Sequence, residues 1–350
     1  MDLDLEKIVR SNIREMKAYS SARDEFSGEA SIFLDANENP FGSPLVRQYN
    51  RYPDPQQWKL KQKISSIKGV PPQNIFLGNG SDEAIDLLYR IFCEPGHDNA
   101  IIFPPTYGMY EVAAATNDIQ LKKLPLTEAF QLDLEAIAAA IDPRTKLIFI
   151  CSPNNPTGNS INRHDIELLL NNFEGIVVID EAYINYSRQR SFIGELTEYP
   201  NLVVMQTFSK AWGLAALRLG MAFASENIIA YFNKVKYPYN INQATQQACL
   251  EALDNISTVN KWIQETVDQR SWLEKTLAEL DPTIIVHPSD ANFLLVKLKD
   301  AAKIWQQLVD NGIIVRDRSR VILCDDCLRI TVGTAFENQQ LIQTLKKLIA

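Results

Sequence analysis

The sequence predicts an α/β fold, a mostly parallel sheet covered by helices, followed by a smaller α+β domain. Three observations carry this. Between about residues 56 and 232, short apolar runs alternate with segments of helical periodicity. Parallel strands need a crossover to bring the chain back, so such alternation reads as repeated βαβ units. The apolar runs are also continuous, as in strands buried on both faces, not alternating as in half-exposed ones. Beyond about residue 240 the texture changes to long helices and isolated strands. The expected organisation is an arm over 1–35, a large domain over 36–240 and a small domain over 241–350, with the arm packing on the small domain or on a partner subunit.

In chain order, the first 30 residues read as a charged, helix-prone arm that ends in a Ser/Gly-rich patch over 20–31. The run Asn74-Ile75-Phe76-Leu77-Gly78-Asn79-Gly80-Ser81-Asp82-Glu83 reads as a strand, a glycine turn and a helix start, with the amphipathic stretch over 84–92. Free backbone N–H groups at such a start bind phosphate. The two glycines lack the third that a dinucleotide fingerprint requires. A strand follows over 100–103. The next, over 147–151, runs into Ser152-Pro153-Asn154-Asn155-Pro156-Thr157-Gly158, where two prolines and a glycine fix the turn and hold Asn155 extended. The Asn155 amide is then a fixed donor.

Ile176-Val177-Val178-Ile179 reads as a buried strand, and Asp180 and Glu181 begin where it ends. Ligands of open α/β sheets sit at those carboxyl ends. Asp180 either caps the following turn or pairs with a cationic ring nitrogen, and Tyr183 stands ready to donate to a ring oxyanion. The strand over 203–207 leads into Thr207-Phe208-Ser209-Lys210, with Arg218 eight positions beyond the lysine. An amine on a tight turn, with hydroxyls and a guanidinium nearby, suits capture of an aldehyde that carries a phosphate, as pyridoxal phosphate does. The read-out past residue 240 is two helices over 243–280, the second over 259–280. After them come a strand over 292–298, a helix over 301–311, a strand over 327–332 and a helix over 338–348.

Composition narrows the class. With 350 residues, the chain holds about two domains. A formal net charge of −8 leaves no basic stripe for nucleic acid. No apolar run is long enough to span a bilayer. Met1-Asp2-Leu3-Asp4-Leu5-Glu6 lacks the basic head and apolar body of an export signal, so the expected location is cytoplasmic. Five cysteines, an odd number, imply reduced thiols. Cys324 and Cys327 read as a solvent loop between two strands, because His97, His164 and His287 are too scattered to complete a zinc site. No metal is expected.

On these motifs the chain resembles the fold-type I pyridoxal-phosphate aminotransferases, and within them the histidinol-phosphate aminotransferase branch. The resemblance runs from Leu34-Asp35-Ala36-Asn37-Glu38-Asn39-Pro40 to Leu328-Arg329-Ile330-Thr331-Val332-Gly333-Thr334. Asn155-Pro156-Thr157-Gly158, Asp180 with Tyr183, and Ser209-Lys210 with Arg218 mark the superfamily. Arg51-Tyr52-Pro53-Asp54-Pro55 and Ile314-Val315-Arg316-Asp317 mark the branch. Ala216 departs from the pattern, which has glycine there; a methyl group is tolerable unless the backbone needs a positive φ.

The resemblance implies a seven-stranded large-domain sheet and pyridoxal 5'-phosphate as cofactor. Lys210 would be the Schiff-base lysine and Asp180 the partner of the ring nitrogen. Asn155 and Tyr183 would contact the ring oxygen, and Tyr107 would stack on the ring. Ser81, Asp82, Ser209 and Arg218 would hold the phosphate, with Tyr52 arriving from the second subunit of a homodimer. Arg329 would take the substrate's carboxylate, joined by Arg316, with Tyr19 and Asn37 lining the far end. The implied reaction is transamination between histidinol phosphate and 2-oxoglutarate, giving imidazole acetol phosphate and glutamate. An aromatic aminotransferase, a threonine-phosphate decarboxylase and a non-catalytic cofactor sensor stay open.

Overall fold

A computed structural model describes residues 3–21, 23 and 31–349. Most of the expected Ser/Gly-rich patch lies outside the described residues. Seven strands form the large sheet: β1 (Ile75–Asn79), β2 (Asn99–Ile102), β3 (Gln120–Lys123), β4 (Thr145–Cys151), β5 (Ile176–Asp180), β6 (Leu202–Thr207) and β7 (Leu219–Phe223). Their order is β1-β7-β6-β5-β4-β2-β3. The pairs β2–β3, β2–β4, β4–β5 and β5–β6 are parallel, and β7 runs antiparallel to both β1 and β6. The expected mostly parallel sheet is therefore present.

The helices are α1 (Leu5–Ile8), α2 (Ser11–Glu15), α3 (Trp58–Lys68), α4 (Gly80–Phe92), α5 (Met109–Thr116), α6 (Leu134–Ala140), α7 (Arg163–Asn172), α8 (Glu226–Val235), α9 (Gln243–Leu253), α10 (Ile256–Ala278), α11 (Ala301–Asp310) and α12 (Ala335–Ile349). Strand β5 shows why the apolar runs are continuous. Val177 and Ile179 join one core with α3, α6, α7 and α9, while Ile176 and Val178 join the other with α4, α5 and α8.

Four antiparallel strands make the second sheet, ordered β10-β11-β9-β8: β8 (Ile285–Val286), β9 (Phe293–Lys297), β10 (Arg316–Asp317) and β11 (Cys327–Thr331). Leu294, Val296, Leu328 and Ile330 bury one face against α10, α11 and α12. Among the described residues, no helix is long and apolar enough to cross a membrane.

Two expectations change. Of the arm, α1 and α2 lie on the large domain, where Val9 and Ile13 enter the core shared by α4 and α8. Arg10 N donates to Ile91 O at 3.0 Å and Lys234 Nζ to Arg14 O at 2.7 Å. The arm is short and charged, but two well-spaced apolar residues are enough to dock it. Cys324 and Cys327 are buried, not on a solvent loop: β11 begins at Cys327, and the turn before it, in which Cys327 N donates to Cys324 O at 2.9 Å, folds Cys324 into the same core. Burial pushes the two thiols up to about 12 and about 11.

Candidate active site

All the strand ends that the sequence marks meet at one edge of the large sheet. The parallel strands β4, β5 and β6 deliver Asn155, Asp180 and Lys210 there. Antiparallel β7 begins at the same edge, bringing Arg218 beside the start of α4. Thirteen residues around this edge line one cavity. Ser81, Asp82, Tyr107, Asn155, Asp180, Tyr183, Ser209, Lys210 and Arg218 are all among them.

One end of the cavity is built for an anion. Gly80 turns β1 into α4 with φ +70°, and its N–H donates to Arg218 O at 2.6 Å. Gly220 permits this approach: a Cβ there would sit 2.3 Å from Ser81 N. A Cβ on Gly80 would in turn lie 2.6 Å from Arg218 Nη2. The first turn of α4 thus directs backbone N–H groups at the cavity, with the positive end of the helix dipole behind them. Arg218 Nη1 donates to Ser209 Oγ at 3.4 Å, and its Nη2 lies 3.2 Å from Asp82 Oδ2. The Asp82 carboxylate also accepts from Tyr107 OH at 3.0 Å, so it orients two neighbours, and its own N–H remains for an anion.

The other end is built for a cation. Asp180 is buried, its Oδ2 accepting from Tyr110 OH at 2.7 Å and its Oδ1 from Ala182 N at 3.0 Å. Burial raises its pKa, and the Tyr110 bond opposes the rise. A buried carboxylate with an open cavity before it gains most from a cationic N–H. Between the ends stands Lys210, whose exposed area faces the cavity. Its Nζ lies 5.5 Å from the centre of the Tyr183 ring. Burial first, and then the nearby Arg329, lower the Lys210 pKa. A lowered pKa leaves more of the amine unprotonated and nucleophilic near neutrality.

Arg329, on β11, closes the site from the small sheet. Its Nη1 donates to Asn155 Oδ1, and its guanidinium stands 5.2 Å from the centre of the Phe293 ring. Its Nε is buried and has no partner among the described residues. A buried charged donor without a partner marks a place for an incoming anion.

The family described as Aminotransferase class I and II matches residues 37–345. The histidinol-phosphate aminotransferase of Bacteroides thetaiotaomicron is 56% identical over 344 residues, covering 98% of each chain. That of Cytophaga hutchinsonii is 53% identical over 346 residues, covering 99% of each. The chain belongs to the class I and II aminotransferases, in the histidinol-phosphate aminotransferase family. Solved relatives share the fold. The histidinol-phosphate aminotransferase of Clostridium acetobutylicum has a TM-score of 0.79 at 24% identity, covering 86% of this chain and 91% of its own. That of Sinorhizobium meliloti, solved in complex with pyridoxal-5'-phosphate, has 0.78 at 24%, covering 85% and 83%.

Four predicted residues of this aminotransferase lie apart from the cavity. Asn37 and Tyr52 line a second hollow of about 480 Å³, where Tyr52 stacks on Tyr239 with ring centres 4.5 Å apart. Glu38 holds this hollow in shape, pairing with Arg23 and Arg51 and accepting from Tyr52 N at 2.6 Å. Tyr19 is 73% exposed. Arg316 is exposed and stands opposite Arg329 in the β10–β11 register.

Sequence reasoning missed Tyr110, whose hydroxyl holds the Asp180 carboxylate; it counted Thr207 among the hydroxyls near the lysine, and the Thr207 Oγ1 accepts from Ser209 N at 3.0 Å and fixes the turn before Lys210. Tyr110 follows Tyr107 by three residues, the spacing of one helical face. Ala216 sits in a 3₁₀ turn without positive φ, so its methyl group costs nothing there; Arg218 carries the left-handed conformation instead, with φ 53°.

Proposed function

We propose that this aminotransferase binds pyridoxal 5'-phosphate in the cavity and transfers an amino group from L-histidinol phosphate to 2-oxoglutarate, forming imidazole acetol phosphate and glutamate. The near end-to-end identity with enzymes of that name carries the reading. The cavity's residues fit the cofactor. The lining offers an anion cradle, a buried carboxylate and an amine, one partner each for its phosphate, ring nitrogen and aldehyde. When bound, pyridoxal phosphate supplies an aldehyde for amines and a ring that takes up electrons.

The residues divide the work. The first turn of α4 at Ser81 and Asp82, the Ser209 hydroxyl and Arg218 hold the phosphate. Asp180 holds a proton on the ring nitrogen, and Tyr110 keeps the carboxylate aimed. Asn155 gives its Oδ1 to Arg329, which leaves Nδ2 to donate to the ring oxygen beside the Tyr183 hydroxyl. Tyr107 covers the ring. Lys210 is the base that takes the substrate's α-proton. Arg329 forks the carboxylate of glutamate, and the same fork suits a phosphate.

The test is a donor screen of single half-reactions with histidinol phosphate, glutamate, phenylalanine and phosphothreonine. Histidinol phosphate and glutamate are the expected donors. Arg329→Ala is expected to slow both, by about ten- to a hundredfold each, the weight of a lost charge-assisted pair. Fastest turnover with phenylalanine, or carbon dioxide release from phosphothreonine, overturns the substrate assignment.

We further propose a homodimer with shared sites. Leu34, Phe41 and Val46 are 89%, 96% and 102% exposed within one chain, a density of bare apolar surface that calls for a cover. Tyr52, outside its own cavity, then reaches the partner's phosphate. Tyr52→Phe is expected to weaken cofactor binding by about 0.5–1.5 kcal/mol, measured by titration of the cofactor-free protein. A fully active monomer in light scattering at assay concentration overturns the shared site.

A further inference from the structure

The two faces of the small sheet differ in character. Leu328 and Ile330 enter the small-domain core, which turns Cys327 and Arg329 to the opposite face, toward the large domain. Residues directly opposite in an antiparallel pair share a face, and β10 sets Arg316 opposite Arg329. Arg318 N donates to Cys327 O at 2.9 Å, so the ladder continues past the end of β10. The two-residue period then places Arg318 on the face of Arg316. The register thus sets three arginines on one face of the small sheet, and Arg329 among them reaches the cavity residue Asn155.

Arg318 is half-buried, and Arg329 and Arg316 are the like charges that bear on it. Among the described residues its guanidinium makes one hydrogen bond, a long contact from Nη1 to its neighbour Asp317 O at 3.4 Å. The Asp317 carboxylate is turned to Ser319 N, at 2.8 Å. Among the described residues no carboxylate forms an ion pair with Arg316, Arg318 or Arg329, and Arg329 Nε is buried without a partner. Asp317 is the carboxylate whose charge reaches Arg318, but it forms no ion pair with it, and like charges brought together gain from an anion that joins them. A carboxylate satisfies one guanidinium fork. A phosphate monoester has three terminal oxygens and close to two charges at neutral pH, and so accepts from several.

We propose that Arg318 is a third arm of the substrate-anion subsite and a determinant of preference for phosphate-bearing donors. Arg329 receives either anion, while Arg316 and Arg318 add contacts that only the phosphate can use. This rests on the reading that the donor is a phosphate monoester.

The experiment measures single half-reactions of the holoenzyme with histidinol phosphate, with histidinol, which lacks the phosphate, and with glutamate. Arg318→Gln is expected to lower kcat/KM for histidinol phosphate about ten- to a hundredfold, mainly through KM. The glutamate half-reaction, which also controls for folding, should change far less. Inhibition by inorganic phosphate should weaken in step, and Arg318→Lys, which keeps charge without the fork, should recover part of the loss. Equal loss with glutamate and histidinol phosphate, or an unchanged preference for histidinol phosphate over histidinol, overturns the role of Arg318 alone. A wild-type enzyme that uses histidinol as well as histidinol phosphate overturns the substrate reading and the inference with it.

Discussion

Lys210→Ala is expected to lower transamination by at least about ten-thousandfold, the upper range for a positioned acid–base group that also captures the cofactor. The fold should survive. Lys210 forms no salt bridge among the described residues, and its side chain faces the cavity, not a core. Removing it also relieves repulsion from Arg329 and Arg218, both of which depress its pKa. The cradle of Gly80, Ser81, Ser209 and Arg218 remains, so the variant should still bind pyridoxal phosphate, but without a covalent link. Borohydride treatment followed by mass measurement separates the two states. The wild type should gain the cofactor's mass at Lys210, and the variant should not. Turnover within tenfold of wild type would end this assignment.

Asp180→Asn should produce the second largest effect, a fall of about a hundred- to a thousandfold in turnover, typical for loss of a preorganised charge. The substitution keeps the shape, so the effect isolates the charge. The amide oxygen can keep accepting from Ala182 N, while Nδ2 donates to the Tyr110 hydroxyl, which now donates to Oδ2 across 2.7 Å and can turn to accept. Because burial raises the Asp180 pKa, its charge is costly to keep in the empty protein, and the asparagine variant should melt no lower than wild type. A large loss of melting temperature would make Asp180 a structural anchor. Activity within tenfold of wild type would remove it from the chemistry.

The strand ends were the legible part of this site, for a topological reason. In a parallel sheet every carboxyl end lies on one side, so locating β4, β5 and β6 in the sequence also located Asn155, Asp180 and Lys210 relative to one another. Tyr110 was not legible, since its partner lies 70 residues away and the bond depends on how α5 sits on the sheet. The run Leu219-Gly220-Met221-Ala222-Phe223 is too short and mixed to announce an antiparallel strand, yet it supplies the close approach that shapes the anion cradle. The burial of Cys324 and Cys327 was hidden by Asp325 and Asp326, which make the segment look wet. Tyr52 and Arg316 have motif positions, yet neither lines the cavity of its own chain, and no local pattern in the sequence tells where either side chain ends up.

If Arg329 receives the substrate's anion, as proposed, its bond to Asn155 makes substrate entry an exchange. The guanidinium already has a neutral acceptor, so an arriving ligand competes with the protein for the same donor. An amide or hydroxyl would trade like for like and gain little. An anion wins the trade, because a charged acceptor binds a guanidinium about twice as strongly as a neutral one. The empty enzyme therefore carries its own threshold, set by a side chain on the opposite domain. Crossing it transfers the tie between the domains from Asn155 to the substrate itself.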